Sequence, residues 1–179
     1  RLMRRAVQQR RELFGPGHPE VASSLGHLGE VQMLKGEYAE AERNLRASLE
    51  TLQRVHGPRS AEAAQAQMLL ADVLTREGRY KVAEPLIQQA LGIRRAIYGE
   101  KHPEVAASIE ALGLNYFDRG DHERAIPDLR LALRMRRELD PQGHPLLAQA
   151  ISNLAWALMQ GGDLAEAELL QREALAMKR

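Results

Sequence analysis

The sequence predicts an all-α protein built as a solenoid of stacked antiparallel helix pairs, and three observations carry that expectation. The chain repeats itself every 42 residues without a gap. Gly36, Gly78, Gly120 and Gly162 keep this interval, and so do Ala41, Ala83, Ala125 and Ala167. Each period holds two apolar stripes with the three-and-four spacing of a helical face, parted by the glycine. The composition also suits helices: Ala and Leu abound, β-branched residues are few, and aromatics make up 4% of the chain. Three more columns share the frame: Ala22, Ala64, Ala106 and Ala148; Leu28, Leu70, Leu112 and Leu154; and Leu49, Leu91, Leu133 and Leu175. Coincidence does not align five columns in one register.

In chain order, residues 1–14 fit the frame as the second helix of a preceding, truncated repeat, with Ala6 and Val7 aligning with Ser48 and Leu49. Repeat 1 then spans 18–57, repeat 2 spans 60–99, repeat 3 spans 102–141 and repeat 4 spans 144–179, read as one continuous solenoid domain. First helices begin near His18-Pro19, Ser60-Ala61, His102-Pro103 and His144-Pro145. Proline suits a helix's first position, where its missing N–H costs nothing. The residue before it reads as the cap. The packing stripe of the third first helix is Ile109, Leu112, Gly113 and Tyr116, and that of the fourth is Ile151, Leu154, Ala155 and Leu158. The glycine column ends these helices in a left-handed cap.

Second helices follow at once, with stripes Ala83, Ile87, Ala90 and Leu91, then Ala125, Leu129, Ala132 and Leu133. The alanines at 41, 83, 125 and 167 let the paired backbones approach closely. Pro85 and Pro127 lie inside their helices, where a proline costs roughly 3 kcal/mol; their shared column predicts a tolerated kink near the helix start. Gln32, Gln67 and Gln171 fall on packing stripes and predict looser packing there. Gly57-Pro58, Gly99, and Pro141 with Gly143 break the chain between repeats.

Bulk properties exclude several functions. A formal net charge of +1 offers no field for a phosphate backbone, so no nucleic acid is expected. The chain has 0 cysteines, hence no disulfide, thiolate or Cys-zinc chemistry, and this fits a reducing, cytoplasmic setting. No run of about 18 apolar residues is present, so no membrane span is expected. His18, His102 and His144 share a column, which suggests a metal. Stacked repeats lie some 10 Å apart, whereas zinc–nitrogen bonds are about 2 Å, so these side chains serve as caps instead. The arginine runs at Arg4-Arg5, Arg10-Arg11, Arg94-Arg95 and Arg134 to Arg137 sit near second-helix ends and complement the helix dipole. No phosphate loop, nucleophile elbow or metal-binding histidine pair is found, so the expectation is no enzyme, no catalytic residue, no metal and no cofactor.

The segment Gly99-Glu100-Lys101-His102-Pro103-Glu104-Val105-Ala106-Ala107-Ser108 resembles the linker and first-helix start of the tetratricopeptide repeat, in the 42-residue version seen in kinesin light chains and many bacterial proteins. Gly78-Arg79-Tyr80, then Ala83-Glu84-Pro85-Leu86 and Ala90-Leu91, resembles that family's second helix. The resemblance covers essentially the whole chain and departs from the pattern at Ser60-Ala61. It implies a right-handed superhelix whose first helices line a concave groove. It further implies a non-catalytic scaffold that takes a peptide or partner helix there.

The candidate groove residues stand about 100° from the packing stripe, on the side that the resemblance selects as concave. In repeat 1 they are Gly26, His27, Glu30 and Met33; in repeat 2, Met68, Asp72, Thr75 and Arg76. In repeat 3 they are Glu110, Leu114, Phe117 and Asp118; in repeat 4, Ser152, Asn153, Trp156 and Met159. Phe117, Trp156 and the methionines supply apolar anchors. Family members that hold acidic tails line the groove with Lys, Arg and Asn, whereas here only Arg76 and Asn153 stand in comparable places. With Glu30, Asp72, Glu110 and Asp118 also present, an apolar or basic segment is the expected partner. For Trp156 two readings stay open, packing between repeats and a ligand anchor. The alternative function is a regulatory or oligomerising segment of a larger, bacterial signalling protein. A chain that opens at Arg1 and closes at Arg179 inside a helix reads as part of a longer array. Exposed Leu169, Leu170 and Leu175 would then promote self-association.

Overall fold

The computed structural model describes residues 2–139 and 145–177. His144, Pro141 and Gly143, which the sequence assigns to the passage into repeat 4, lie outside the described residues, as do Arg1 and Arg179. Among the described residues the elements are all helical: α1 (Leu2–Phe14), α2 (Pro19–Leu34), α3 (Tyr38–His56), α4 (Ala61–Arg76), α5 (Tyr80–Tyr98), α6 (Pro103–Asp118), α7 (His122–Leu139), α8 (Pro145–Gly161) and α9 (Leu164–Ala176).

The chain forms two compact units, residues 1–93 and 94–179, with the boundary inside α5. In the first, α2 packs between α1 and α3, α3 continues onto α4, and α4 lies beside α2. In the second, α6 pairs with α7, α7 packs on α8, α8 pairs with α9, and α8 lies beside α6. Both are stacks of helix pairs, the α-solenoid arrangement.

Local chemistry explains the helix boundaries. His18 Nδ1 accepts from Glu20 N at 3.2 Å, and His102 Nδ1 accepts from Glu104 N at 3.1 Å. Ser60 Oγ does the same for Ala63 N at 3.1 Å. At the other end, Gly36, Gly78, Gly120 and Gly162 carry φ of 76°, 75°, 83° and 90°, a region open to glycine at little cost. The chain reversal closes the same way each time: Glu37 N donates to Gln32 O at 2.9 Å, Arg79 N to Leu74 O at 2.8 Å, Asp121 N to Tyr116 O at 2.9 Å and Asp163 N to Leu158 O at 2.9 Å. These bonds satisfy carbonyls that a helix end leaves orphaned. Helices α5 and α7 run through Pro85 and Pro127 without a break. Both prolines are exposed, so water can hydrate the carbonyls they leave without a donor.

The apolar stripes form the core. Ile109, Leu112, Gly113 and Tyr116 are buried, as are Ile151, Leu154, Ala155 and Leu158. Ala41, Ala83, Ala125 and Ala167 are at most 1% exposed, as close backbone approach requires. At Gly113 an added Cβ would sit 2.9 Å from Leu129 Cγ, so a side chain there would force Leu129 to shift.

Gln32 and Gln67 are buried on their stripes, each with a hydrogen bond: Asn44 Nδ2 donates to Gln32 Oε1 at 2.6 Å, and Gln67 Nε2 to Gln89 Oε1 at 3.1 Å, while Gln67 Oε1 is buried without a partner among the described residues. Two expectations need correction. Gln171 is exposed, since α9 buries Ala167, Leu170 and Ala174 and turns residue 171 outward. Leu170 is accordingly covered, while Leu169 and Leu175 remain 66% and 59% exposed.

The joints between repeats come in two chemistries. Each joins a residue near the end of a second helix to a residue one turn into the next first helix. In the first joint Arg10 donates to Ser24 Oγ. In the second, Leu52 packs with Ala22 and Ala66. In the third, buried Arg94 donates to Ser108 Oγ at 2.8 Å and pairs with the Glu104 carboxylate at 2.6 Å. Burial holds the Arg94 pKa below its usual value, with Glu104 opposing that shift. The equivalent pair in the fourth joint is Arg136 and Ala150; alanine offers no acceptor, and Arg136 turns to Glu110 instead.

Candidate functional site

The exposed face of each first helix is what its neighbours leave uncovered. On α2 it comprises Ser23, His27, Glu30 and Leu34; on α4, Gln65, Leu69, Asp72 and Arg76. On α6 it is Ala107, Ala111, Leu114 and Asp118, and on α8 Gln149, Asn153, Trp156 and Gln160. These residues are fully or half exposed and step by three and four along one helical stripe.

Measured against this stripe, half of the sequence-derived set lies on it and the rest stands roughly 60° round toward the core, the angle that separates residues three apart on a helix. His27, Glu30, Asp72, Arg76, Leu114, Asp118, Asn153 and Trp156 lie on it. Gly26 does not: it is buried, and a Cβ there would lie 3.5 Å from Ser48 Oγ on α3. Met33 is 8% exposed and belongs to the core. Glu110 is 7% exposed and sits in the seam of α6, α7 and α8, accepting from Arg136 Nε and Asn153 Nδ2, each at 2.9 Å. Met68, Thr75 and Ser152 are half-buried at the edge, and the Ser152 hydroxyl donates to Ala148 O at 2.9 Å. Phe117 is half-buried against the cluster around Leu129, Leu154 and Leu158, its ring 5.4 Å from that of His122. Met159, 41% exposed, flanks the stripe beside Trp156.

The sequence reading missed Ser23, Gln65, Ala107 and Gln149, and with them Leu34, Leu69, Ala111 and Gln160. Their signal was present: the column Ser23, Gln65, Ala107, Gln149 never carries a large apolar residue. The column Gly26, Met68, Glu110, Ser152 varies as much, although two of its members are buried, so variation between repeats did not separate them.

Two features stand out in the second unit. Trp156, the chain's single tryptophan, is 50% exposed, with Leu114 at the equivalent place on neighbouring α6. Charge is also scarce on that face. Glu110 is matched by Arg136, and Arg119 by Asp121 at 3.0 Å, whereas Asp118 has no hydrogen bond or ion pair to any described residue. Partial burial pushes the Asp118 carboxyl above the usual carboxylate range. In the first unit Asp72 accepts from Arg76 Nε at 3.0 Å.

Second helices present a different surface. On α7 and α9, Arg130 pairs with Glu166, and Arg137 with Glu173 at 2.7 Å. On α3, Glu42 holds Arg46 at 2.7 Å and Arg79 at 2.8 Å. Partial burial raises the Glu42 pKa, but these two guanidiniums outweigh it and hold the carboxyl below its ordinary range. Among the described residues no group of three His, Asp or Glu could hold a metal ion, and no helix is long and apolar enough to cross a membrane.

Repeating helix pairs, glycine-closed turns and alanine contacts define a class, the tetratricopeptide solenoid. The chain belongs to the tetratricopeptide repeat family: one tetratricopeptide repeat model matches residues 1–54, 26–96 and 62–138, and a second matches residues 147–179. Solved structures share the fold. BtubC (BKLC) from P. vanneervenii superposes with a TM-score of 0.85 at 23% identity, over 99% of this chain and 70% of that one. A kinesin light chain with nearly identical TPR-like repeats from Podosopora anserina gives 0.82 at 21% identity, over 99% of this chain and 84% of that one. A Rap protein complexed with competence and sporulation factor gives 0.78 at 18% identity, over 89% of this chain and 43% of that one. No curated protein matches the chain in sequence.

Proposed function

We propose that the chain is a non-catalytic scaffold that binds a peptide or partner helix on the exposed face of its first helices. The single observation that carries this reading is Trp156, half exposed beside Leu114 and Met159 where a merely structural tryptophan would be covered. Large aromatic side chains in low-charge surroundings are where interface energy concentrates. On α3, α7 and α9 several exposed arginines and glutamates already hold one another. The Rap neighbour, solved as a complex with a factor, is consistent with this use of the architecture.

Affinity capture by wild type and by a Leu114→Ala, Trp156→Ala variant tests the reading. Trp156 is half exposed and Leu114 packs partly against the core around Leu154 and Leu158, so an unchanged circular dichroism spectrum and Tm accompany the comparison. Partners captured by wild type are expected to fall at least about tenfold with the variant, the effect of losing one interface hot spot. Equal capture by both proteins refutes the reading.

Leu169 and Leu175 favour a second reading, self-association of a regulatory segment through the outward face of α9. Light scattering across a dilution series decides it: a mass that stays monomeric at high concentration, and equal for Leu169→Glu, removes it.

A further inference from the structure

We infer that the α6–α8 face selects a partner segment carrying an apolar side chain and, two residues away in extended chain, a lysine or arginine. This rests on the reading of that face as partner-binding and adds the chemistry of the partner. Leu114 and Trp156 form the apolar floor. One helical turn along α6 from Leu114 stands Asp118, at the helix's last position. Three properties of Asp118 point to an absent cation. It pairs with no described residue, although its neighbour Arg119 is engaged by Asp121. It places a negative charge at the negative end of the helix dipole, where cations are stabilising. Its surroundings also desolvate the carboxylate.

Its equivalents in the other repeats are Leu34, Arg76 and Gln160. Of the charged residues in that column, Arg76 obeys the dipole and Asp118 opposes it. A residue that breaks a local rule without compensation marks a place where function outweighs stability. The spacing then fixes the partner. Four residues of helix span about 6 Å, and two residues of extended chain span about 6.6 Å. One side chain over Trp156 and Leu114 therefore sets the residue two positions away against Asp118. Ala107 and Ala111 leave room on α6 for the partner's main chain to pass.

Random peptides displayed on phage and selected against the immobilised chain test this directly. Enriched peptides are expected to carry an apolar residue with Lys or Arg two positions away. With Asp118→Lys as bait the second position should change to Asp or Glu; this variant suits the helix end and keeps the fold. For one enriched peptide, titration followed by Trp156 fluorescence should show about fivefold weaker binding after Lys→Gln, as for a partly exposed ion pair. The same substitution should make no difference against Asp118→Asn. Enriched peptides with no basic bias, or a bias unmoved by Asp118→Lys, overturn the inference even if Trp156→Ala abolishes binding. Enriched peptides that bind Trp156→Ala as well as wild type overturn the underlying reading of the face. A selection that enriches nothing overturns both.

Discussion

Asp118 and Glu110 show how differently two acids on one helix are treated. Glu110 is buried but held by Arg136 and Asn153; Asp118 is exposed, yet no described residue holds it. With its folded pKa raised by desolvation, Asp118 gives up its proton less readily in the native state than in the unfolded chain. The penalty for its charge is therefore present at neutral pH and disappears as the pH falls below the unfolded value, near 4. Asp118→Asn should accordingly raise unfolding free energy by a few tenths of a kcal/mol at pH 7, the scale of an exposed charge at a helix end. The gain should vanish near pH 3. Urea denaturation at both pH values measures it, and equal stability at pH 7 excludes the dipole argument. Of these two acids, Asp118 could be placed from the sequence because it closes a helix. Glu110 could not. Its partner Arg136 lies on another helix, and its column holds Gly26, Met68 and Ser152, which share no chemistry.

Between elements, the joints differ in chemistry within one geometry. Leu52 against Ala66 and Arg94 against Ser108 occupy equivalent places 42 residues apart. Truncating Ser108 to Ala removes an acceptor from a guanidinium side chain that is only 5% exposed, at a cost of about 1–3 kcal/mol. Arg94→Leu alone leaves the Ser108 hydroxyl facing an apolar neighbour. The double variant reproduces the Leu52–Ala66 joint and should recover most of either loss, because apolar replacement of a whole buried polar pair is often neutral or better. A double-mutant cycle by thermal or urea unfolding should give a favourable coupling of about 1 kcal/mol or more; strict additivity means that the two positions do not act as a pair. Helix starts, glycine caps and the buried stripes of α6 and α8 were legible in the sequence, because each depends on residues within one or two turns. Whether a joint would be polar or apolar was not legible, since it requires knowing which side chains on different helices meet.

At the scale of the whole molecule, a helix is protected by the residues it buries against its neighbours, and α9 buries few. It covers Ala167, Leu170 and Ala174 but leaves Leu164, Leu169 and Leu175 exposed, whereas α8 buries eight residues between its partners. In repeat arrays stability is close to a sum of nearest-neighbour terms, so α9 should open locally more readily than α8. Hydrogen exchange should find α9 amides at least about tenfold faster than those of α8, the mark of a lower local opening energy; equal protection would show that α9 opens only with the rest. The sequence by itself determined the period, the helix pairs, the caps and the family, because a repeat prints its local chemistry again in every copy. Only the tertiary structure decided which columns face water. Burial at a given helical angle depends on how neighbouring helices lean against it, and that lean buries Gly26, Met33 and Glu110 and leaves Ser23, Gln65 and Gln149 exposed.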